Sequence, residues 1–269
     1  MKYKLRQKLY SQNFLRNPKL VAKLIRNSSI GKKDTVLEIG PGKGIITSEL
    51  LKVTKKVIAV ELDKKLCLYL KERFKDTKNL ELMNANFLSF KLPSYPYKVF
   101  SNTPFIITTD VIRKLTSDDN LIEACLIVQK EAAKKFIGMP YDNKNSMMAT
   151  LLKPWFEIEA VWQFRKSNFV PQPNVVVVMI TIRRRETPFV PWSSLRNYRD
   201  FVLYTYNRSK VAKLEFDKLL TLFDRYEQKT GERQKKNVSQ KAKEFLAHQR
   251  KIQKIHRTRK DKHWRKYKS

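Results

Sequence analysis

Two short motifs, well separated in the sequence, hold the side chains best suited to chemistry. They are the run from Glu38 to Gly44, with sequence EIGPGKG, and the tetrapeptide from Asn102 to Phe105, with sequence NTPF. The Asn102 side-chain oxygen and a backbone carbonyl beside Pro104 can accept both hydrogens of a planar amine, whose lone pair then points at a methyl donor. Phe105 can stack on the base that carries this amine. The tetrapeptide therefore predicts methylation of an amine such as adenine N6, and this requires no strong general base.

The glycine motif predicts the methyl donor. It follows a predicted strand and opens a predicted helix, where glycine lets the backbone turn tightly and approach a ligand. Gly40 and Gly42 belong to a GxGxG spacing that Glu38 precedes, and an acidic side chain suits a zwitterionic amino acid better than a diphosphate. Glu61 ends the next strand, where a carboxylate accepts hydrogen bonds from ribose hydroxyls. Together these features fit S-adenosylmethionine, and a generic nucleotide-binding turn is the competing interpretation.

Composition narrows the class of partner. The 269 residues include 57 Lys and Arg against 25 Asp and Glu, which gives a formal net charge of +32. This charge exceeds what solubility requires and predicts a polyanionic partner, with nucleic acid as the first candidate. The hydrophobic fraction of 42% is typical of a folded globular protein.

The positions of histidine and cysteine exclude several kinds of site. All three histidines follow residue 247, so residues 1–247 cannot form a His-dependent triad, an HExxH zinc helix or a His general base. Cys67 and Cys125 lie far apart in apolar surroundings, which predicts buried thiols rather than a disulfide or a metal pair. No segment is long and apolar enough to span a membrane, and we expect a cytoplasmic protein without a metal.

Apolar runs alternate with helical stretches from Asp34 onward, a pattern typical of βαβ units around a largely parallel sheet. Two further runs, 156–164 and 175–182, have no helix between them and predict an antiparallel pair at the sheet edge. The other predicted strands are 35–39, 56–61, 79–83, 97–101 and 122–128. The predicted helices are 17–27, 44–52, 63–74, 107–115, 129–136, 144–153 and a helical region at 195–226.

Three regions are predicted along the chain. Residues 1–183 form a Rossmann-like α/β domain, and residues 184–228 form a small helical domain that is too short for a robust core of its own. Residues 229–269 form a tail in which basic residues far outnumber acidic ones. Such a tail is expected to be disordered, or marginally helical, until it binds phosphate, and to contribute to RNA binding.

The chain resembles the rRNA adenine N6-methyltransferases over roughly residues 7–185, and most closely their Erm macrolide-resistance branch. Several independent motifs in the same order carry the resemblance: Gln12-Asn13-Phe14-Leu15, the glycine motif, Glu61, the NTPF tetrapeptide, Thr109-Asp110-Val111-Ile112-Arg113-Lys114, and Phe169 with Pro171 and Pro173. The resemblance implies an α/β, Rossmann-like class I S-adenosylmethionine-dependent methyltransferase with a small C-terminal helical domain and a basic tail. It also implies N6 methylation of a 23S rRNA adenine and resistance to macrolides, lincosamides and streptogramin B. We expect the protein to act as a monomer, on rRNA before full ribosome assembly.

The resemblance further implies roles for single residues. Asn102, with Pro104 and Phe105, holds the target amine. Phe169 is a candidate for a second aromatic side chain beside a base that is flipped out of its stack. The alternative is that Phe169 belongs to the hydrophobic core. The cofactor contacts that it implies are Asn13, Leu15, Glu38, Gly40, Gly42, Glu61, Leu62, Asn86, Phe87 and Asn102.

Two departures from the family pattern affect these expectations. Asn86 stands where the family usually has Asp as an acceptor for the cofactor's adenine amino group, and an uncharged acceptor predicts weaker cofactor affinity. Thr103 stands where Ile or Leu is usual, and its hydroxyl can disturb the packing behind the loop or bond locally to the backbone. The choice between single and double methylation stays open.

Three other functions compete with the 23S interpretation. The KsgA/Dim1 group dimethylates adenines of small-subunit rRNA, but the 109–114 run and the brevity of the helical segment favour the Erm branch. A binding protein that kept the fold and lost catalysis is a second alternative, against which the intact Asn102 argues. A third is methylation of an amine in DNA or on a protein glutamine. Accessible RNA targets are single-stranded or bulged adenines, because the major groove of A-form RNA is too narrow to read.

Overall fold

The computed structural model describes residues 13–206 and 214–265, and the side chains of all of these except 250 and 252–265. The basic N-terminal residues 1–12, including Gln12, lie outside this part. The strands are β1 Phe14–Leu15, β2 Thr35–Ile39, β3 Lys56–Glu61, β4 Leu80–Asn84, β5 Tyr97–Asn102, β6 Leu121–Gln129, β7 Phe156–Gln163, β8 Phe169–Val170 and β9 Val177–Arg184. The α-helices are α1 Pro18–Arg26, α2 Ile45–Leu51, α3 Lys64–Arg73, α4 Thr108–Thr116, α5 Lys130–Ile137, α6 Met147–Leu152, α7 Leu195–Thr205, α8 Phe216–Lys229 and α9 Glu232–Arg265.

Seven strands form the central sheet, in the order β4-β3-β2-β5-β6-β9-β7. The first five are parallel to one another, whereas β9 is antiparallel to both β6 and β7. This confirms the predicted α/β fold and the antiparallel pair at the sheet edge. A separate two-stranded ribbon pairs β1 with β8 and brings the N-terminal segment next to the loop before β9.

Each predicted strand is observed with its ends within two residues, whereas β1 and β8 were not predicted and the helical region 195–226 contains the two helices α7 and α8. Side-chain caps explain two differences at helix ends. Helix α1 begins after Asn17, whose side chain accepts the Leu20 N–H. Helix α6 begins at Met147 rather than at the predicted residue 144, because the Ser146 side chain accepts two backbone N–H groups and so ends the preceding loop.

The chain divides into two compact units, residues 1–137 with 156–186 and residues 138–155 with 187–269. The sequence placed 138–155 in the first domain, but hydrogen bonds hold this segment within the second unit. The Tyr198 hydroxyl donates to the Thr150 carbonyl at 2.9 Å, and the Asn145 amide donates to the Leu214 carbonyl at 3.0 Å. These partners are distant in sequence, and so local patterns could not predict them.

The basic tail was expected to be disordered, or marginally helical, until it binds phosphate, and in the structure residues 232–265 form the single helix α9. The first part of α9 packs against α7, where Ala242 is fully buried. Val238, Ala242, Phe245 and Leu246 recur at helical spacing and give this part an apolar face. The expectation weighed the charge of the tail and overlooked this short apolar stripe.

The sequence argued against a membrane span, a metal site and a disulfide, and each of these can be compared with the described part of the chain. No helix in it is long and apolar enough to cross a bilayer. Within the same residues, His, Cys, Asp and Glu side chains form no group of three or more that could hold a metal ion. Cys67 and Cys125 are buried free thiols, as predicted.

Candidate active site

A cleft opens at the carboxyl ends of the parallel strands, where the chain order reverses between β2 and β5. Such switch points are where open α/β sheets bind ligands. The cleft contains about 860 Å³ of empty space, open solvent included. Its walls are the glycine loop after β2 and the segments 61–63 after β3, 85–87 after β4 and 102–107 after β5, joined by Asn13 and Phe14.

The glycine loop presents bare backbone to the cleft. Gly40, Gly42 and Gly44 have φ values of 64°, 60° and 78°, a region that side chains disfavour. A Cβ added at Gly42 would lie 2.5 Å from a ring carbon of Phe14. Glycine is therefore required here both by conformation and by space, and a ligand can approach the backbone of Gly40 and Gly42 closely.

Glu61 is held against the glycine loop. One carboxylate oxygen accepts the Gly42 N–H at 3.0 Å and the other accepts the Asp63 N–H at 2.8 Å. Burial raises the pKa of Glu61, and these two hydrogen bonds counteract the rise. Each oxygen keeps a second lone pair. The carboxylate can therefore accept two further hydrogens, as the two hydroxyls of a ribose require.

Glu38 does not line the cleft, contrary to the expected contact with the amino acid part of the cofactor. Its side chain is 1% exposed beneath the glycine loop, and it accepts the Thr47 hydroxyl at 2.7 Å. The other oxygen has no hydrogen-bond partner among the described residues. Burial raises the pKa of Glu38 to about 8, and the charge of Glu61 adds to this rise. Glu38 therefore stabilises the glycine loop from its buried side.

The segment after β4 forms a single helical turn. The Phe90 N–H donates to the carbonyls of Asn86 and Phe87, and the Asn86 side-chain oxygen accepts the Leu88 N–H at 3.0 Å. Asn86 and Phe87 line the cleft, as does Leu62, whose side chain is 54% exposed. A flat apolar ring with a polar edge, such as adenine, fits these three side chains.

Asn102 is the last residue of β5, and its carboxamide has a fixed orientation. The Asn102 side-chain nitrogen donates to the backbone carbonyl of Asn13 at 2.7 Å. The reverse orientation would place two oxygens against each other. The Asn102 oxygen is therefore the end of the amide that remains to accept a hydrogen from an amine in the cleft.

The rest of the tetrapeptide forms one wall of the cleft. The Pro104 carbonyl accepts the Ile107 N–H at 3.1 Å and starts a short 3₁₀ turn, Phe105–Ile107. Phe105 lines the cleft at the start of this turn. The Thr103 hydroxyl is buried and donates to the Ser101 hydroxyl at 3.4 Å, so its local partner is a side chain rather than the expected backbone group.

Leu15 and Phe169 are not at the cleft surface, contrary to the sequence-based expectation. They face each other across the β1–β8 pair, and both are buried in the hydrophobic core. The Phe169 ring is fully buried with its edge against Phe164, at 5.4 Å between centroids. Because side chains alternate along a strand, Phe14 faces the cleft and Val170 is 51% exposed. The core alternative for Phe169 is the one that the structure shows.

Sequence reasoning also missed contributors to the cleft, namely Phe14, Asp63, Ala85 and Ile106. Strand alternation could have indicated Phe14, since a buried Leu15 turns its neighbour outward. Ile106 directly follows the NTPF tetrapeptide and is 71% exposed. Its apolar residue type does not suggest such exposure.

Comparisons with known proteins agree with this geometry. The family described as ribosomal RNA adenine dimethylase matches residues 4–254. A relative from Bacteroides fragilis, named rRNA adenine N-6-methyltransferase, is 30% identical over 213 residues, which cover 78% of this chain and 79% of the relative. A relative from Clostridioides difficile (strain 630), named Ribosomal RNA small subunit methyltransferase A, is 30% identical over 188 residues, which cover 66% of this chain and 65% of that protein.

Among solved structures, the 23S rRNA methyltransferase ErmE is similar to this chain with a TM-score of 0.70 and 26% identity. The superposition covers 79% of this chain and 99% of ErmE. The similarity therefore includes nearly the whole of that enzyme.

Proposed function

Because this chain belongs to the ribosomal RNA adenine dimethylase family, and is thus an S-adenosylmethionine-dependent rRNA adenine N6-methyltransferase, we propose that its substrate is one adenine of 23S rRNA. The observation that carries the proposal is the similarity to ErmE, which extends over 99% of that chain. Macrolide, lincosamide and streptogramin B resistance is the proposed consequence.

Three of the cleft walls bind different parts of the cofactor. S-adenosylmethionine, when bound, supplies a methyl group on a positively charged sulfur. The paired oxygens of Glu61 accept hydrogen bonds from its ribose, and Asn86 and Phe87 receive its adenine. The backbone of Gly40 and Gly42 lies along its amino acid part.

The tetrapeptide then orients the target adenine. The Asn102 oxygen and the Thr103 carbonyl, which directly precedes Pro104, accept the two N6 hydrogens. Phe105 stacks on the base and holds the nitrogen in line with the methyl group. The methylated nitrogen is briefly cationic and loses a proton to water, so the cleft needs no general base.

Affinity for rRNA comes mainly from charge. Lys and Arg that contact phosphates release counterions, and helix α9 contains many of them. Base pairing and the shape of the RNA around the target adenine then select the nucleotide. We further propose that a monomer acts in the cytoplasm on rRNA before ribosome assembly is complete.

The test is transfer of labelled methyl from S-adenosylmethionine to protein-free 23S and 16S rRNA, with the modified base mapped. We expect label on N6 of one 23S adenine, and its loss in Asn102→Ala. Asn143→Ala, at an exposed position that does not line the cleft, is the matched control and should retain activity. Label confined to 16S rRNA would contradict the proposal.

A second candidate is small-subunit rRNA dimethylation. The 30% identity to the small-subunit enzyme favours it. The same experiment separates the two, because this candidate places two methyl groups on each of its 16S targets.

A further inference from the structure

We propose that Lys114 is a positioning residue for the adenine of the cofactor, because its ammonium group fixes the turn that carries Asn86 and Phe87. The inference rests on the proposed placement of the adenine beside these two side chains. It gives Lys114 a function inside the protein rather than at the RNA surface.

The turn from Asn86 to Phe90 has carbonyl groups that its own hydrogen bonds leave unsatisfied. It is one helical turn long, with Ser89 and Phe90 N–H groups donating back to Asn86. Carbonyls at the end of a helical turn have no partner further along the helix. A cation placed there satisfies these oxygens and also opposes the negative end of the turn's dipole.

Lys114 supplies that cation. Its ammonium donates to the carbonyls of Phe87 at 2.9 Å and Leu88 at 3.1 Å, and also to that of Phe90. It also lies 5.1 Å from the centroid of the Phe87 ring. A lysine ammonium has three hydrogens, and all three are used. Lys114 therefore has no hydrogen left for a phosphate, although it belongs to a chain rich in phosphate-binding side chains.

The position of Lys114 links the two halves of the reaction. It lies on α4, the helix that begins directly after the tetrapeptide and its 3₁₀ turn. One side chain thus joins the segment that receives the cofactor to the segment that holds the target amine.

The two possible roles of Lys114, a purely structural cap or a positioning residue, predict different results when Lys114 is replaced. Loss of a cap lowers the free energy of unfolding but leaves the cofactor affinity of the folded protein unchanged. Loss of a positioning residue leaves the Asn86–Phe90 turn free to move, and the adenine then binds a less complementary wall. Cofactor affinity, measured on folded protein, separates these cases.

The experiment measures the dissociation constant of S-adenosylhomocysteine by calorimetry for wild type and Lys114→Met, which keeps the apolar stem. We expect the constant to rise about tenfold, because charged hydrogen bonds to the turn are lost. KM for S-adenosylmethionine should rise in parallel, while kcat at saturating cofactor changes less than about twofold. Lys91→Met removes an exposed lysine just after the same turn and should bind as wild type does.

Lys114→Gln is a second variant for the same measurement if Lys114→Met does not fold. Glutamine keeps a polar head but lacks the charge and the third hydrogen, so it should bind the ligand with intermediate affinity. Wild-type affinity in a folded Lys114→Met or Lys114→Gln variant would overturn the proposal. Because the measurement uses no RNA, wild type that binds the ligand without methylating 23S rRNA would refute the proposed substrate and leave this inference standing.

Discussion

At the scale of single residues, the clearest result is the reason for an amide at position 102. One end of the side chain donates to the Asn13 carbonyl, and in the proposed mechanism the other end accepts a hydrogen from the target amine. Asn meets both demands, whereas Asp can only accept. The N-terminal segment thereby orients the Asn102 side chain through a backbone atom, which residue types alone could not indicate.

Asn102→Asp tests this assignment. A carboxylate facing the Asn13 carbonyl repels it, so we expect the methyl transfer rate to fall by about 10²-fold or more. Hydrogen exchange should also become faster in residues 13–16, because the segment loses its anchor. An aspartate variant with near-normal rate and unchanged exchange would show that the donated hydrogen bond is unimportant.

Glu38 predicts a pH dependence of stability. Its pKa is raised to about 8 in the folded protein, against an ordinary value of 4.5. Between these values the folded state holds a proton that the unfolded state has lost. The free energy of unfolding therefore falls as pH rises through this window, by at most about 4 kcal/mol.

Urea unfolding at several pH values from about 5 to about 8 measures this fall. Glu38→Gln cannot ionise and should show a flatter profile than wild type. Glu72→Gln, at an exposed site on α3, should retain the wild-type slope. Equal slopes in wild type and Glu38→Gln would mean that Glu38 is ionised in the folded protein.

At the scale of elements, the β1–β8 ribbon divides its residues between cleft and core. Leu15 packs in the core and Phe14 lies over Gly42 at the cleft. The sequence placed Leu15 at the cofactor, since a motif shows which residues are near a site but not which face of a two-residue strand is covered. That face is decided by β8, more than 150 residues further along the chain.

Paired alanine substitutions test this division. Leu15→Ala leaves a core cavity, so we expect a loss of about 2–4 kcal/mol in the free energy of unfolding with little change in cofactor affinity. Phe14→Ala should do the reverse and weaken S-adenosylhomocysteine binding while stability changes little. Thermal unfolding and calorimetry on both variants provide the comparison, and equal effects of the two substitutions would contradict it.

At the scale of the whole molecule, charge and fold have separate functions. The parallel sheet positions the cleft, and the formal net charge of +32 attracts rRNA. Helix α9 has both an apolar and a basic part. Its first part packs on α7 through an apolar face, and its basic residues continue beyond that part.

Truncation after residue 249 tests the RNA-binding function of the tail without removing the buried Ala242. We expect weaker rRNA binding and a flatter dependence of affinity on salt, because fewer counterions are released. Filter binding at two salt concentrations measures both. Unchanged affinity and slope would show that this part of the chain does not contact RNA.

The sequence by itself determined the order of strands and helices, the glycine loop, Glu61 and the Asn102 tetrapeptide. These depend on local periodicity and on residue types that a turn or a reaction requires. Only the tertiary structure decided that Glu38, Leu15 and Phe169 are buried, that Lys114 closes the Asn86–Phe90 turn, and that α9 has a packed face. The physical reason is that burial and hydrogen-bond partners depend on residues distant in sequence, which a local pattern does not contain.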